Sequence, residues 1–133
     1  IARTAAMQWI WIGLGGATGA IARWGISSAV HGTLGVAIPW GTLLVNVVGC
    51  FGLGVVAVWA DAATSGEWIR SAVGIGFLGA FTTFSTFSLE AVRLVQDGHE
   101  GRAVVYVAAS LVIGLLAVMA GFAVARWGLA RVG

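Results

Sequence analysis

The sequence predicts an all-α membrane protein: a single domain of four transmembrane helices, the third broken near its middle. Three observations carry this expectation. Of 133 residues, 59% are hydrophobic and only 9% charged, and the mean hydropathy is +0.99. Such a composition belongs to membrane chains rather than water-soluble domains. The charges are spaced so that four long runs carry none or almost none, and a bilayer core takes about 20 helical residues. Glycine is abundant, at 21 residues, and many lie inside those runs. In lipid, small residues let helix backbones approach closely, so the glycines predict tight helix packing.

The spans fall at 7–30, 38–60, 68–95 and 102–126 of a single domain covering 1–133, leaving no room for a soluble domain. The first begins with an uncharged run from 7 to 22. It lacks a small-residue cleavage site followed by a polar mature region, so it reads as a permanent helix rather than a signal. Gly15 and Gly19 form a GxxxG pair within it. The glycines of 13–20 have the wrong spacing for a dinucleotide-binding loop, because Thr18 stands where the third glycine belongs and no strand precedes it. Arg23 is a charge inside a span, which is costly and points to function. Snorkelling to the membrane edge is the alternative, and both readings stand at this stage.

The second span opens with Pro39 at a first-turn position and Trp40 at interface depth. Asn46 lies near its midpoint, and a carboxamide there must find partners, since an unsatisfied polar group in an apolar medium costs a few kcal/mol. Thr42 lies one turn earlier on the same face. The pair forms either interhelical glue or a stripe of donors. The lone Cys50 reads as a small buried apolar residue, since one cysteine makes no intrachain disulfide. Residues 61–67 and 96–101 are short polar links, so sequential helices should pack as antiparallel neighbours. His31 and His99 are expected in loops, as solvated bystanders.

The third span holds the most informative string, GIGFLGAFTTFSTFS at 74–88. Gly74, Gly76 and Gly79 make its middle easy to break, and Thr82 and Thr83 can hydrogen-bond backbone freed there. Irregular backbone at membrane depth is tolerated only where protein or a water-filled cavity surrounds it. Half-helix ends and bare carbonyls are natural ion sites. Phe84 and Phe87 follow on adjacent turns of one face, and the edges of phenyl rings carry positive potential. In the fourth span Tyr106 and Ser110 are again one turn apart. Glu90 reads as the partner of Arg93 near the surface, with a place on an exit path as the alternative.

All seven basic residues are arginine. Four spans put Arg3, Arg70, Arg126 and Arg131 on one side, and Arg93, Arg102 and Arg23 on the other. So slight an asymmetry gives a weak instruction about insertion, and it permits an antiparallel homodimer. Neutral donors and phenyl edges with few fixed charges suit a small anion, which must be bound weakly enough to leave. No paired carboxylates, membrane-depth histidine or metal-ligand cluster points to an enzyme. There is no charge run for a nucleic-acid partner.

The strings GATGAIAR at 16–23, WGTLLVN at 40–46 and GFLGAFTTFSTFS at 76–88 resemble the CrcB/Fluc family of fluoride channels, in order and across all four spans. The resemblance implies a dual-topology homodimer in the cell (inner) membrane, with two antiparallel pores that export fluoride passively. It implies phenyl-edge ligands at Phe84 and Phe87 and a pore donor at Asn46. Thr42, Thr83 and Ser85 would belong to or border the polar track, with Tyr106 and Ser110 lining it from the fourth helix. Backbone carbonyls of Gly79 and Thr82 from both subunits would hold a structural sodium ion, and Arg23 would face a vestibule. Gly114 departs from relatives that carry a hydroxyl one turn beyond the Ser110 position. The main rival is a proton-coupled exporter of the small multidrug resistance type. That rival needs a membrane-embedded glutamate on the first helix, and 7–22 contains no acid. A non-conducting assembly subunit is the other.

Overall fold

Helix α1 (Ala2–Leu34) ends where Gly35, at φ +75°, donates its N–H to the His31 carbonyl at 3.0 Å. That left-handed cap suits glycine. The computed structural model describes residues 2–35, 37–64 and 66–131, and side chains of α1 from Met7 onward. The side chain of Arg3 therefore lies outside the described residues. Pro39 immediately precedes α2 (Trp40–Ala62), at a position that needs no backbone donor.

The third segment is built in pieces. One turn of α-helix, α3 (Gly66–Trp68), widens into a π-helix over Ile69–Leu78 and tightens again in α4 (Gly79–Phe81). Thr82 and Thr83 are then extended, with ψ of 156° and 115°, before α5 (Phe84–Gln96) starts. The expected break is present, one turn beyond the glycine cluster rather than inside it. The glycines instead accompany the π-helix, where Gly79 donates its N–H to the carbonyls of Gly74 and Gly76. π-Helical turns frequently occur at functional sites. A turn with Gly98 at φ +75° leads into α6 (Glu100–Ala130).

α2 packs most extensively on α6, and α1 on the π-helix. Both pairs run parallel: Gly54 of α2 meets the Val118–Phe122 backbone, while Thr42 lies level with Tyr106. A methyl group on Gly15 or Gly19 would overlap the carbonyl oxygen of Ala72 or Phe77 respectively. The GxxxG pair thus lets α1 lie directly against the widened backbone. His31 sits in the last turn of α1 rather than in a loop, half-buried and 2.8 Å from the Ser27 carbonyl through Nδ1.

α2, the broken segment Gly66–Gln96, and α6 are each long and apolar enough to cross a membrane. α1 is long enough, at 33 residues, but Gln8, Arg23 and its many small residues make it less apolar. Large apolar side chains face outward, among them Trp24 at 73% exposure. The buried cluster is small and lies at the α5–α6 end, joining Leu43, Phe87, Leu94, Ala103 and Tyr106.

Candidate functional site around the helix break

Two helices hold the break from opposite flanks. From α2, Asn46 binds both backbone groups of Thr83: Oδ1 accepts from the Thr83 N–H at 2.7 Å, and Nδ2 donates to the Thr83 carbonyl at 3.1 Å. From α1, Arg23 donates through Nε to the Ala80 carbonyl at 3.1 Å. Arg23 is therefore tied to the backbone at the break. The carboxamide is the glue that the sequence allowed, applied to the second of the two extended residues in the span.

The hydroxyls sort by what they bond. Thr82 donates to the Leu78 carbonyl at 2.9 Å and Ser88 to the Phe84 carbonyl at 2.9 Å, so both turn back on their own helix. Thr83 caps α5, accepting from the Thr86 N–H at 3.1 Å, as a helix N-cap threonine should. Its hydroxyl also lies 3.0 Å from Thr86 Oγ1 and 3.3 Å from Ser85 Oγ. Thr83, Ser85 and Thr86 thus form one linked cluster at the start of α5.

These bonds release two carbonyls. In an unbroken helix, Gly79 and Thr82 would accept from the N–H groups of Thr83 and Thr86. Here those donors turn to Asn46 and to the Thr83 side chain. Gly79 is also exposed, with nothing nearer to a Cβ than the Gly74 carbonyl at 3.6 Å. Hard carbonyl oxygens deprived of donors at a helix C-terminus fit a monovalent cation such as sodium. Among the described residues no cluster of His, Cys, Asp or Glu offers an alternative metal site.

Beside the break lies a cavity of about 240 Å³, lined by Asn46, Thr83, Phe84, Phe87, Ser110 and Cys50 among others. Phe84 is 78% exposed and Phe87 is buried, with ring centroids 5.7 Å apart. Phe87 packs in turn on Tyr106 at 5.3 Å. Ser110 Oγ is buried without a hydrogen-bond partner, and a buried hydroxyl normally has one. At Gly114, a Cβ would lie 3.7 Å from Cys50 Sγ, in ordinary contact.

Glu90 corrects the expectation drawn from sequence. It does not pair with Arg93; among the described residues the one ion pair joins exposed Arg70 and Asp61 at 2.7 Å. The Glu90 carboxylate instead accepts from Thr42 Oγ1 and from the Tyr106 hydroxyl, each at 2.8 Å. The reason is register: Glu90 lies one turn beyond Phe87 and faces inward with it, whereas Arg93 is exposed. Glu90 thereby joins Thr42 and Tyr106 at one end of the polar stripe, with the Phe87 ring between that group and the cavity. The inward face shared with Phe87 was the signal in the sequence.

Residues 10–122 match the family described as "CrcB-like protein, Camphor Resistance (CrcB)". The chain is 44% identical over 120 residues to a protein of Acidobacterium capsulatum named a fluoride-specific ion channel, FluC; the match covers 89% of this chain and 95% of that one. It is similarly 44% identical over 121 residues to a Magnetococcus marinus protein of the same name, covering 90% and 98%. A Thermus thermophilus protein of that name is 41% identical over 127 residues, covering 95% and 97%.

Proposed function

The chain belongs to the CrcB family, and from that membership we propose that it is a fluoride channel, not an enzyme, which exports the ion passively across the cell (inner) membrane. In this reading all four segments span the bilayer, and two copies pair antiparallel to enclose two pores. The observation that carries it is the cavity at the break, where the orphaned Ser110 hydroxyl meets Asn46 and the Phe84–Phe87 pair. An amide NH₂ has two donors, and Asn46 gives one to Thr83, so one remains for the ion. Ser110 supplies a further neutral donor, Ser85 would border the track through its contact with Thr83, and the positive ring edges of Phe84 and Phe87 supply weak donors.

Fluoride loses strongly bound water on entering, so compact donors must replace it. Fixed positive charge would trap it instead. Glu90 serves release: its carboxylate already takes the Thr42 and Tyr106 hydroxyls, so an ion arriving there competes for donors that are in use. Support for the paired assembly comes from the exposed Phe84 ring and the nearly balanced arginines. The freed carbonyls of Gly79 and Thr82 would hold a sodium ion that neutralises the helix ends where two copies meet.

The test is ion release from liposomes holding the purified protein, read with fluoride and chloride electrodes. Fluoride should leave and chloride should stay, and Phe84→Ile should slow fluoride sharply while the dimer persists. Absence of fluoride release by the parent protein would overturn the function. Undiminished release by Phe84→Ile would overturn the ring's role.

A further inference from the structure

We infer that Arg23 is a positioning residue for the helix break, acting through the hydrogen bond from its Nε and not through its charge. The inference rests on the reading that the break carries the ion site, and it assigns Arg23 a task other than attracting anions in a vestibule. The geometry is specific. Arg23 Nε donates to the Ala80 carbonyl at 3.1 Å from a half-buried position. The natural helical donor for that carbonyl is the N–H of Phe84, the first residue of α5, which the extended Thr82–Thr83 pair separates from α4. Ala80 is thus a C-terminal carbonyl that the break itself orphans, and such groups need an outside partner.

The neighbouring carbonyls explain why this one matters. The Leu78 carbonyl takes the N–H of Thr82 at 3.0 Å and its hydroxyl at 2.9 Å. Gly79, between Leu78 and Ala80, loses its donor to Asn46. Tying Ala80 to α1 fixes the peptide planes on which the Gly79 oxygen depends. Gly19 sets the distance, since it lies one turn before Arg23 with its backbone against Phe77.

The donor atom makes a sharp prediction. Glutamine places its Nε2 the same number of bonds from the backbone as arginine places Nε, so Arg23→Gln can restore the bond without any charge. Lysine keeps the charge but has a methylene at that position, and its ammonium lies one atom farther out. Methionine matches the stem and has no donor. Fluoride release from liposomes should therefore rank Gln above Lys, with Met lowest and at least about tenfold below the parent, the loss that follows from about 1.4 kcal/mol.

A charge role gives the reverse order, with Lys above Gln. It also gives a defect that salt masks, because the screening length falls from about 30 Å at 0.01 M to about 10 Å at 0.1 M. The positioning role leaves the ratio of Met to parent constant across that range. Fluorine NMR of 4-fluorophenylalanine at position 81, beside Ala80, adds a readout independent of transport. Its resonance should move in the Met variant and return in the Gln variant. Lys outperforming Gln, or a Met defect that shrinks with salt, or an unmoved resonance, each overturns the inference. The parent's own fluoride release tests the function separately. If the Met variant fails to fold, the order of Gln and Lys still decides.

Discussion

Asn46→Asp removes the least matter and breaks the most geometry. The side chain keeps its shape and retains an oxygen to accept from the Thr83 N–H, at 2.7 Å in the parent. The donor at 3.1 Å from the Thr83 carbonyl is replaced by a second oxygen. An acceptor then faces an acceptor at membrane depth: the Thr83 carbonyl, at the N-cap of α5, still accepts the first intrahelical bond, but the new oxygen finds no donor in it. A buried oxygen left unsatisfied costs about 1–3 kcal/mol. At a factor of ten per 1.4 kcal/mol, the share of copies with a properly set break falls by roughly 5- to 140-fold. Any negative charge on the new carboxylate adds repulsion of the anion. The assay is fluoride release from liposomes at matched protein density, with size-exclusion chromatography to compare the oligomeric state with that of the parent. An Asp variant that is dimeric and as fast as the parent would show that Thr83 needs no clamp.

Three further outcomes follow from the same contacts. Glu90→Leu should strip the acceptor from two hydroxyls, one of them on Tyr106 at 1% exposure, and lower thermal stability by about 1–3 kcal/mol per orphaned group. Arg93→Ala should change little, and the opposite ranking in a melting series would restore the Glu90–Arg93 pairing. Gly19→Ala should destabilise by about 1–3 kcal/mol, since its methyl would overlap the Phe77 carbonyl, whereas Gly13→Ala meets nothing within 4 Å and should be silent. Equal melting temperatures for the two would refute the close approach of α1. Gly114→Ser should fold and conduct, because its Cβ has ordinary contact with Cys50 at 3.7 Å; an altered size-exclusion profile relative to the parent would show that the space is already filled.

Much of this architecture was legible in the residues, for reasons that also mark where legibility ended. Uncharged runs report burial in lipid directly, so α2 and α6 followed from spacing alone. The broken third segment followed because glycines and paired threonines in an apolar run have few other uses. The position of the break depended on Asn46, which sits far away in sequence and supplies the two bonds that make extended backbone tolerable at Thr83. No local pattern encodes that. The π-helix was equally hidden, since its close contact with Gly15 and Gly19 of α1 is a long-range one that no local pattern records. Glu90 was misjudged because proximity in sequence favoured Arg93, while the phase it shares with Phe87 turns it toward Thr42 and Tyr106.

One ring has consequences for how the protein is made. Phe84 is left 78% uncovered by its own chain, although it lines the cavity on which conduction is proposed to depend. Under the proposed pairing, a solitary copy diluted in excess lipid would have an unfinished wall, and active units would arise only through encounters. Their number should climb with the square of abundance when copies are scarce, and in direct proportion once every copy has found a mate. A cell making very little of this protein would gain less protection than a simple head count suggests.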